Sequence, residues 1–389
     1  MPTTTTLRRV RMVRGPARVK VRGKCMVLGA DVTNSSVSVR AGKALPFEPG
    51  PGCRLHAALG QRGRLWWASP YLAGSYIWKE TARSVIAAAA RQTDRLAVLI
   101  VGDSDTGKSS LCTYLANTAL SRGIVPCIID GDIGQGDIAP PSAIGAAVVR
   151  RPVTDLRDLT AESFGFVGSI SPAGIERLIA DTICSLYKRT QDTRRLLIIN
   201  TDGYARNGGA AYKRLIAEEI GPDMVVMLGG RDQQPLADAL SSGPWRLASA
   251  RPSEQAIKSW TERRWRRHDQ FLRFVGEGQA RKKLEDLTFS YLGSTLTTAE
   301  FLTLFSPGNN NPITTAATDN DNSNNDKSTF NLFVGLGLEG NSDKIVGFGV
   351  IKCLSAGAVE IRTDVENFDT VGLSNIVLTD SGAEQISPC

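Results

Sequence analysis

The sequence predicts an α/β protein, with a central parallel sheet that carries helices on both faces and small all-β domains flanking it at the N- and C-terminal ends. Three observations carry that prediction. From residue 96 onward, near-continuous apolar runs alternate with helical stretches, as strands buried on both faces of a parallel sheet require. Before residue 79 and after residue 329 the chain reads instead as short strands punctuated by Gly, Pro and Asn. At 389 residues it is too long for one ordinary core and suits two or three domains.

Residues 1–78 make the N-terminal β domain. Val19–Arg22 alternates, Gly23 turns the chain, Met26–Leu28 is a second strand, and Ser36–Arg40 alternates again. The central domain is expected over 79–300, opening with a helix at Ala82–Arg91. Its strands fall at Leu96–Val101, Val125–Asp130, Phe164–Val167, Leu196–Asn200 and Met224–Leu228, with helices at 108–121, 173–189 and 210–220. Pro252 to Lys283 is polar, studded with arginines and expected to be helical. The C-terminal β domain is expected over 301–389, with strands at Phe333–Leu336, Val346–Ile351 and Val359–Thr363. An insertion at 306–329 holds seven asparagines and no aromatic, Leu or Val residue. It is too polar to offset its ordering entropy, so disorder is expected there.

Composition excludes several classes. The longest apolar run, Leu96–Val101, is far short of the roughly 20 residues that span a bilayer. The opening MPTTTTLRRV has no apolar stretch of a secretory signal; a transit peptide is the alternative reading of its Arg-rich, acid-free start. Seven widely spaced cysteines without a CxxC encode neither a disulfide framework nor a zinc site, and two histidines cannot build a His-rich centre. A cytoplasmic location, or a nuclear one in a eukaryote, is expected. The net charge of +7 is segregated: residues 7–24 hold eight basic groups and no acid, and residues 258–283 hold nine basic and three acidic. Each is a place where a polyanion could sit, with a solvated face as the plain alternative.

The string Gly102-Asp-Ser-Asp-Thr-Gly107-Lys108-Ser109 fits GxxxxGK[ST], which chance places in about one chain in a hundred of this length. A strand runs into it and a helix runs out, the context of a P-loop NTPase. Gly102, Asp103, Ser104, Asp105, Thr106, Gly107, Lys108, Ser109 and Ser110 are therefore the expected ATP-binding residues. Backbone N–H groups would cradle the phosphates, Lys108 would bridge β and γ, and Ser109 would ligate Mg²⁺. A carboxylate at a strand end should help hold the metal. Asp130 and Asp132 compete for this with Asp202; the first pair is preferred because its strand directly follows the loop helix. No Asn-Lys-x-Asp is present, so guanine specificity is not encoded.

With these residues in view, the chain resembles the P-loop polynucleotide 5′-hydroxyl kinase family, which includes archaeal RNA kinases and eukaryotic subunits of pre-mRNA cleavage and pre-rRNA processing. The matching blocks are Gly102–Ser110, Asp130-Gly-Asp-Ile-Gly-Gln-Gly-Asp-Ile-Ala-Pro-Pro141 and Asn200-Thr-Asp-Gly-Tyr204. The resemblance implies ATP-dependent, Mg²⁺-dependent phosphorylation of a 5′-hydroxyl end, of RNA, with DNA left open. A catalytically weak ATP-binding scaffold subunit of an RNA-processing complex is the alternative. It implies Asp132 as the group that activates the hydroxyl, leaving Asp130 for the metal. Gln135, Thr201, Gly203 and Tyr204 would contact nucleic acid, the last with Tyr where many members carry Trp. The arginine lid maps to Arg263 and Arg267 in a segment where Arg264 and Arg266 also crowd. Trp260 and Trp265 among them are read as core residues, with base stacking the alternative.

Overall fold

The computed structural model describes residues 9–73, 75–92, 95–190, 196–229, 233–253, 257–305, 329–338, 344–355, 357–379 and 382–385. The disorder expected at 306–329 lies outside them except at Thr329, which opens a strand, and of the start read as a transit peptide residues 1–8 lie outside them. Contacts divide the chain into two compact units. One takes in the chain to Ile129, Ala147–Thr160 and Tyr187–Arg263; the other takes in Asp130–Ala146, Ala161–Leu186 and the chain from Arg264.

The first unit is built on a sheet in the order Arg246–Ala250, Met224–Leu228, Leu96–Gly102, Leu196–Thr201, with Pro126–Gly131 beyond. The first four strands run parallel. Every residue of Leu96–Gly102, Leu196–Thr201 and Met224–Leu228 is buried, the reason their sequences lack alternation. Helices Lys79–Arg91, Lys108–Leu120, Gly209–Ile220 and Gln234–Ser241 follow these strands or precede them.

The N-terminal strands form two small antiparallel sheets in this same unit. One has the order Ala30–Asp31, Cys25–Val27, Ala44–Pro49, Val10–Arg14, Arg64–Ala68; the other has Ser36–Val39, Ala17–Arg22, Arg54–Leu59. They are tied to the loop helix by Asn117, which is buried. Its amide donates to the carbonyls of Leu28 (2.7 Å) and Val153 (2.8 Å), and its Oδ1 accepts from the Val153 N–H (3.0 Å). Asp155 adds a buried ion pair with Arg157 (2.9 Å) and a longer one with Lys43 (3.7 Å).

The second unit is mainly antiparallel. Thr329–Gly337 lies between Ile345–Ser355 and Thr370–Thr379. Its core gathers Phe289, Phe301, Phe305 and Phe330, with the Phe289 and Phe301 rings stacked at 3.8 Å. Four expectations are corrected here. Ser163–Phe166, expected among the parallel strands, pairs antiparallel with Ala143–Val148, because a short apolar run does not encode strand direction. The helix expected through Lys283 spans only Trp260–Leu272; Gly276 and Gly278 follow, and Gln279–Lys283 becomes a strand against Ala358–Arg362. Thr288–Tyr291 pairs with Thr370–Thr379, so the C-terminal β structure reaches well before residue 301. Trp260 and Trp265 are exposed rather than in a core, since Arg266, Gln270 and Phe271 occupy the buried face of their helix.

Candidate functional site

The phosphate loop leaves the buried strand Leu96–Gly102 and enters the helix Lys108–Leu120. Gly107 caps that helix with φ 96°, a conformation that costs a side-chain-bearing residue strain. Thr106 Oγ1 donates to the Asp103 carbonyl (2.8 Å), and the Ser253 N–H donates to the Thr106 carbonyl (2.9 Å). Lys108 is buried, with Nζ donating to the carbonyls of Gly102 (3.0 Å) and Asp103 (2.7 Å). A buried ammonium held over backbone carbonyls at a helix N-terminus makes a strongly electropositive cradle for phosphate. The Asn200 amide, at the end of its strand, points at Ser109 Oγ from 3.5 Å.

The loop after Leu196–Thr201 closes against the cradle. A β-carbon at Gly203 would fall 2.7 Å from Ser104 Cα and 2.8 Å from its nitrogen, so only glycine permits the approach. Asp202 anchors the turn: buried, it accepts from Lys213 Nζ (2.7 Å), Tyr212 Oη (2.8 Å) and the Tyr204 N–H (2.8 Å). That makes it a structural ion pair with buried Lys213, and removes it as a competitor for the metal. Tyr204 is half-buried, its hydroxyl donating to the Asn207 carbonyl (2.5 Å). Thr201, expected at the nucleic acid, is buried in the strand with its hydroxyl donating to the Ile100 carbonyl (2.9 Å). It holds the strand end, and its neighbours Gly203 and Tyr204 are half-buried residues of this turn. Beside them a cleft is lined by Asp103, Arg206, Asn207, Gly208 and Gln233.

Asp105, inside the phosphate loop, binds two cations from the lid segment. Arg263 Nη2 reaches its Oδ2 at 2.5 Å, and Lys258 Nζ its Oδ1 at 3.2 Å. The first unit therefore brings together the cradle, Asn200, the Gly203 turn and Arg263.

The second unit carries Asp130, Asp132, Gln135 and Arg267. Asp130 is buried, its Oδ2 accepting the N–H groups of Asp137 (2.7 Å) and Ile138 (3.3 Å). Asp132 is half-buried, and its Oδ1 accepts from the N–H groups of Gln135 (2.8 Å) and Gly134 (3.2 Å). Gln135, also half-buried, donates from Nε2 to the Gly134 carbonyl (2.9 Å). Helix Trp260–Leu272 grips this loop from two side chains. Arg266 is paired with buried Asp137 and reaches the Gln135 carbonyl at 3.2 Å. Gln270 donates to the carbonyls of Asp137 (2.8 Å) and Ala139 (3.1 Å). Arg267 is half-buried on the same helix.

Sequence reasoning missed Arg266, Gln270 and Asn200. The first two are four apart on the buried side of the helix, a spacing that could have separated Arg266 from its neighbours. Asn200 gave no signal beyond its place in a matching block.

The donors suit magnesium, which takes hard oxygen ligands and keeps several waters when bound through phosphates. Ser109 offers a hydroxyl in the first unit; in the second, Asp130 offers a carboxylate whose oxygens accept the N–H groups of Asp137, Ile138 and Asp132. Among the described residues no cluster of three His, Cys, Asp or Glu could hold a metal, and an ion bound mainly by phosphate and water requires none.

Residues 102–276 match the family described as mRNA cleavage and polyadenylation factor CLP1 P-loop. The polyribonucleotide 5′-hydroxyl-kinase of Pyrococcus horikoshii is 37% identical over 131 residues, 34% of this chain and 36% of that protein. The chain thus matches only about a third of the length of that archaeal relative. The polyribonucleotide 5′-hydroxyl-kinase Clp1 of Xenopus tropicalis is 30% identical over 251 residues, 58% of this chain and 54% of that protein. In fold, a solved complex of wild-type Clp1p with Pcf11p aligns with TM-score 0.67 at 13% identity, covering 94% of this chain and 93% of that one.

Proposed function

From its likeness to the P-loop 5′-hydroxyl kinases, we propose that this chain transfers the γ-phosphoryl group of ATP to the 5′-hydroxyl of a polynucleotide, RNA first. The observation that carries the proposal is the closure of the Gly203 turn on Ser104. It sets a ring-bearing surface, Tyr204, beside the phosphate cradle, which a bare ATPase has no use for.

In the proposed reaction Lys108 turns its ammonium from the loop carbonyls to the β- and γ-phosphates. Asp132 takes the proton of the 5′-hydroxyl as its oxygen bonds to the γ-phosphorus, while the bond from that phosphorus to the β,γ-bridging oxygen breaks and ADP leaves. Arg263 and Arg267 neutralise charge that builds on the transferring group. Magnesium, held by Ser109 and Asp130, would supply Lewis-acid stabilisation of the phosphate oxygens. Arg266 and Gln270 are positioning residues, fixing the loop that carries Asp132. Gln135, Gly203 and Tyr204 hold the terminal nucleotide, with the Tyr204 ring stacking on its base.

The test is transfer of labelled γ-phosphate to 5′-hydroxyl RNA and DNA oligonucleotides, compared with ATP hydrolysis alone. Transfer should vanish in Lys108→Ala and fall on the order of a hundredfold or more in Asp132→Asn, with ATP binding retained by the second variant. ATP binding without transfer in the wild-type chain would replace the kinase by a nucleotide-holding subunit.

A further inference from the structure

The basic N-terminal stretch has a place in the fold that the phosphate site does not use. Residues 9–73 hold twelve Lys and Arg against two acids, Asp31 and Glu48. In the three-stranded sheet, Val19, Val21, Val37 and Val39 are buried. The alternate residues Arg18, Lys20, Arg22, Ser36, Ser38, Arg54, His56 and Ala58 are exposed on its other face. Lys20 stands opposite Ser36 and His56, and Arg22 directly opposite Arg54.

Two features make this more than a solvated surface. Like charges set opposite one another destabilise a sheet, and among the described residues no carboxylate pairs with Arg18, Lys20, Arg22 or Arg54. The cations are also strung along one strand, about 7 Å apart at alternate positions, with small Ser and Ala side chains beside them. A line of unpaired positive charge beside a shallow furrow suits a linear polyanion. The exposed face has no large apolar side chain to enter a bilayer, and apart from the His56 imidazole it has no ring to stack on a base.

We propose that this face binds the phosphodiester backbone of a polynucleotide, without sequence preference, at a distance along the strand from its 5′ end. The inference rests on the kinase reading for its substrate but makes a separate demand: long polynucleotides should bind better than short ones. Arg18, Lys20 and Arg22 contact successive phosphates, and Arg54 and His56 flank them.

The experiment uses the full chain and the combined variant Arg18→Glu/Lys20→Glu/Arg22→Glu, with Arg18→Gln/Lys20→Gln/Arg22→Gln as the neutral counterpart. The first probe is a circular single-stranded RNA of mixed sequence, which has no 5′ end to phosphorylate. Removing three phosphate contacts should flatten the slope of log K against log salt by about 2 and weaken binding at least tenfold. The second probe compares 5′-hydroxyl substrates. The long-oligonucleotide KM should rise at least tenfold in the variants, while kcat and the dinucleotide KM stay unchanged. Unchanged circular-RNA binding and salt slope in both variants overturn the proposal. So does loss of binding to anionic phosphatidylserine vesicles with RNA binding intact, which would make the face a membrane contact. If the wild-type chain phosphorylates nothing yet the circular-RNA result holds, the kinase reading fails and the binding face stands.

Discussion

Two arginines three residues apart, Arg263 and Arg266, hold aspartates under opposite conditions. The Arg263–Asp105 pair lies at the phosphate loop with side chains 25% and 9% exposed; the Arg266–Asp137 pair, inside the Asp130–Pro141 loop, is 7% and 0% exposed. Water can solvate Arg263 when it lets go, so its pair can be exchanged for a phosphate at small cost. Arg266 has no such escape, and separating it from Asp137 would leave a charge stranded in the interior. Under the proposed function the difference leaves one arginine available to chemistry and gives the other to architecture, though the sequence presents both in the same run, ERRWRRH.

The largest effect expected from this contrast is on stability. Arg266→Ala should destabilise the fold by about 3–5 kcal/mol, because Asp137 stays buried without its partner. Calorimetry should show a melting temperature lower by roughly 10 °C. Replacing both members, as Arg266→Met with Asp137→Leu, should recover most of that loss. A single variant that melts like wild type would erase the distinction.

A buried carboxylate elsewhere tests whether burial, and not this helix, is the cause. Burial alone would raise the Asp155 carboxyl, but Lys43 and Arg157 outweigh it and hold the group well below the usual carboxylate range. Because its folded pKa is depressed, its stabilisation is fully present above the unfolded value of about 4 and is lost as pH falls further toward the folded one. Asp155→Asn should therefore melt well below wild type at neutral pH, by about 3 kcal/mol. The gap should narrow only on acidification below about pH 4. A gap independent of pH would mean that shape, not charge, is what the variant removes.

Arg263→Ala should change stability by no more than about 1 kcal/mol, while turnover falls on the order of a hundredfold and ATP affinity shifts little. Weakened ATP binding with unchanged turnover would remove Arg263 from the transition state. The smallest effect is expected at Tyr204. Tyr204→Phe loses the bond to the Asn207 carbonyl, about 1 kcal/mol, and should raise the oligonucleotide KM less than about fivefold. Tyr204→Ala loses the ring as well and should raise it further. Equal impairment of the two would show that the hydroxyl carries the contact.

The parts of the molecule legible in the sequence are those whose signal is local. Leu96–Gly102 is buried on both faces, so its apolar run could only be a central strand, and the glycines and lysine after it follow from what a phosphate demands of backbone. What was not legible depends on partners distant in the chain. Ser163–Phe166 shows nothing of the direction in which it pairs with Ala143–Val148. Gln279–Lys283 is a strand only because Ala358–Arg362 lies alongside. Trp260 and Trp265 carry the most apolar surface in their helix, yet the buried face went to Arg266 and Gln270, whose polar atoms meet a loop over 120 residues earlier.

The contact between Gly203 and Ser104 has a genetic consequence. Every missense change at a glycine codon installs a β-carbon, and at this position that carbon overlaps Ser104 whichever side chain follows. No substitution there is mild: alanine meets the same backbone as tryptophan. Arg206, three positions on and exposed, faces no such filter. Among viable alleles, codon 203 should vary only synonymously while codon 206 drifts. A single missing atom thus constrains inheritance more tightly than a charged group on the rim of the same cleft.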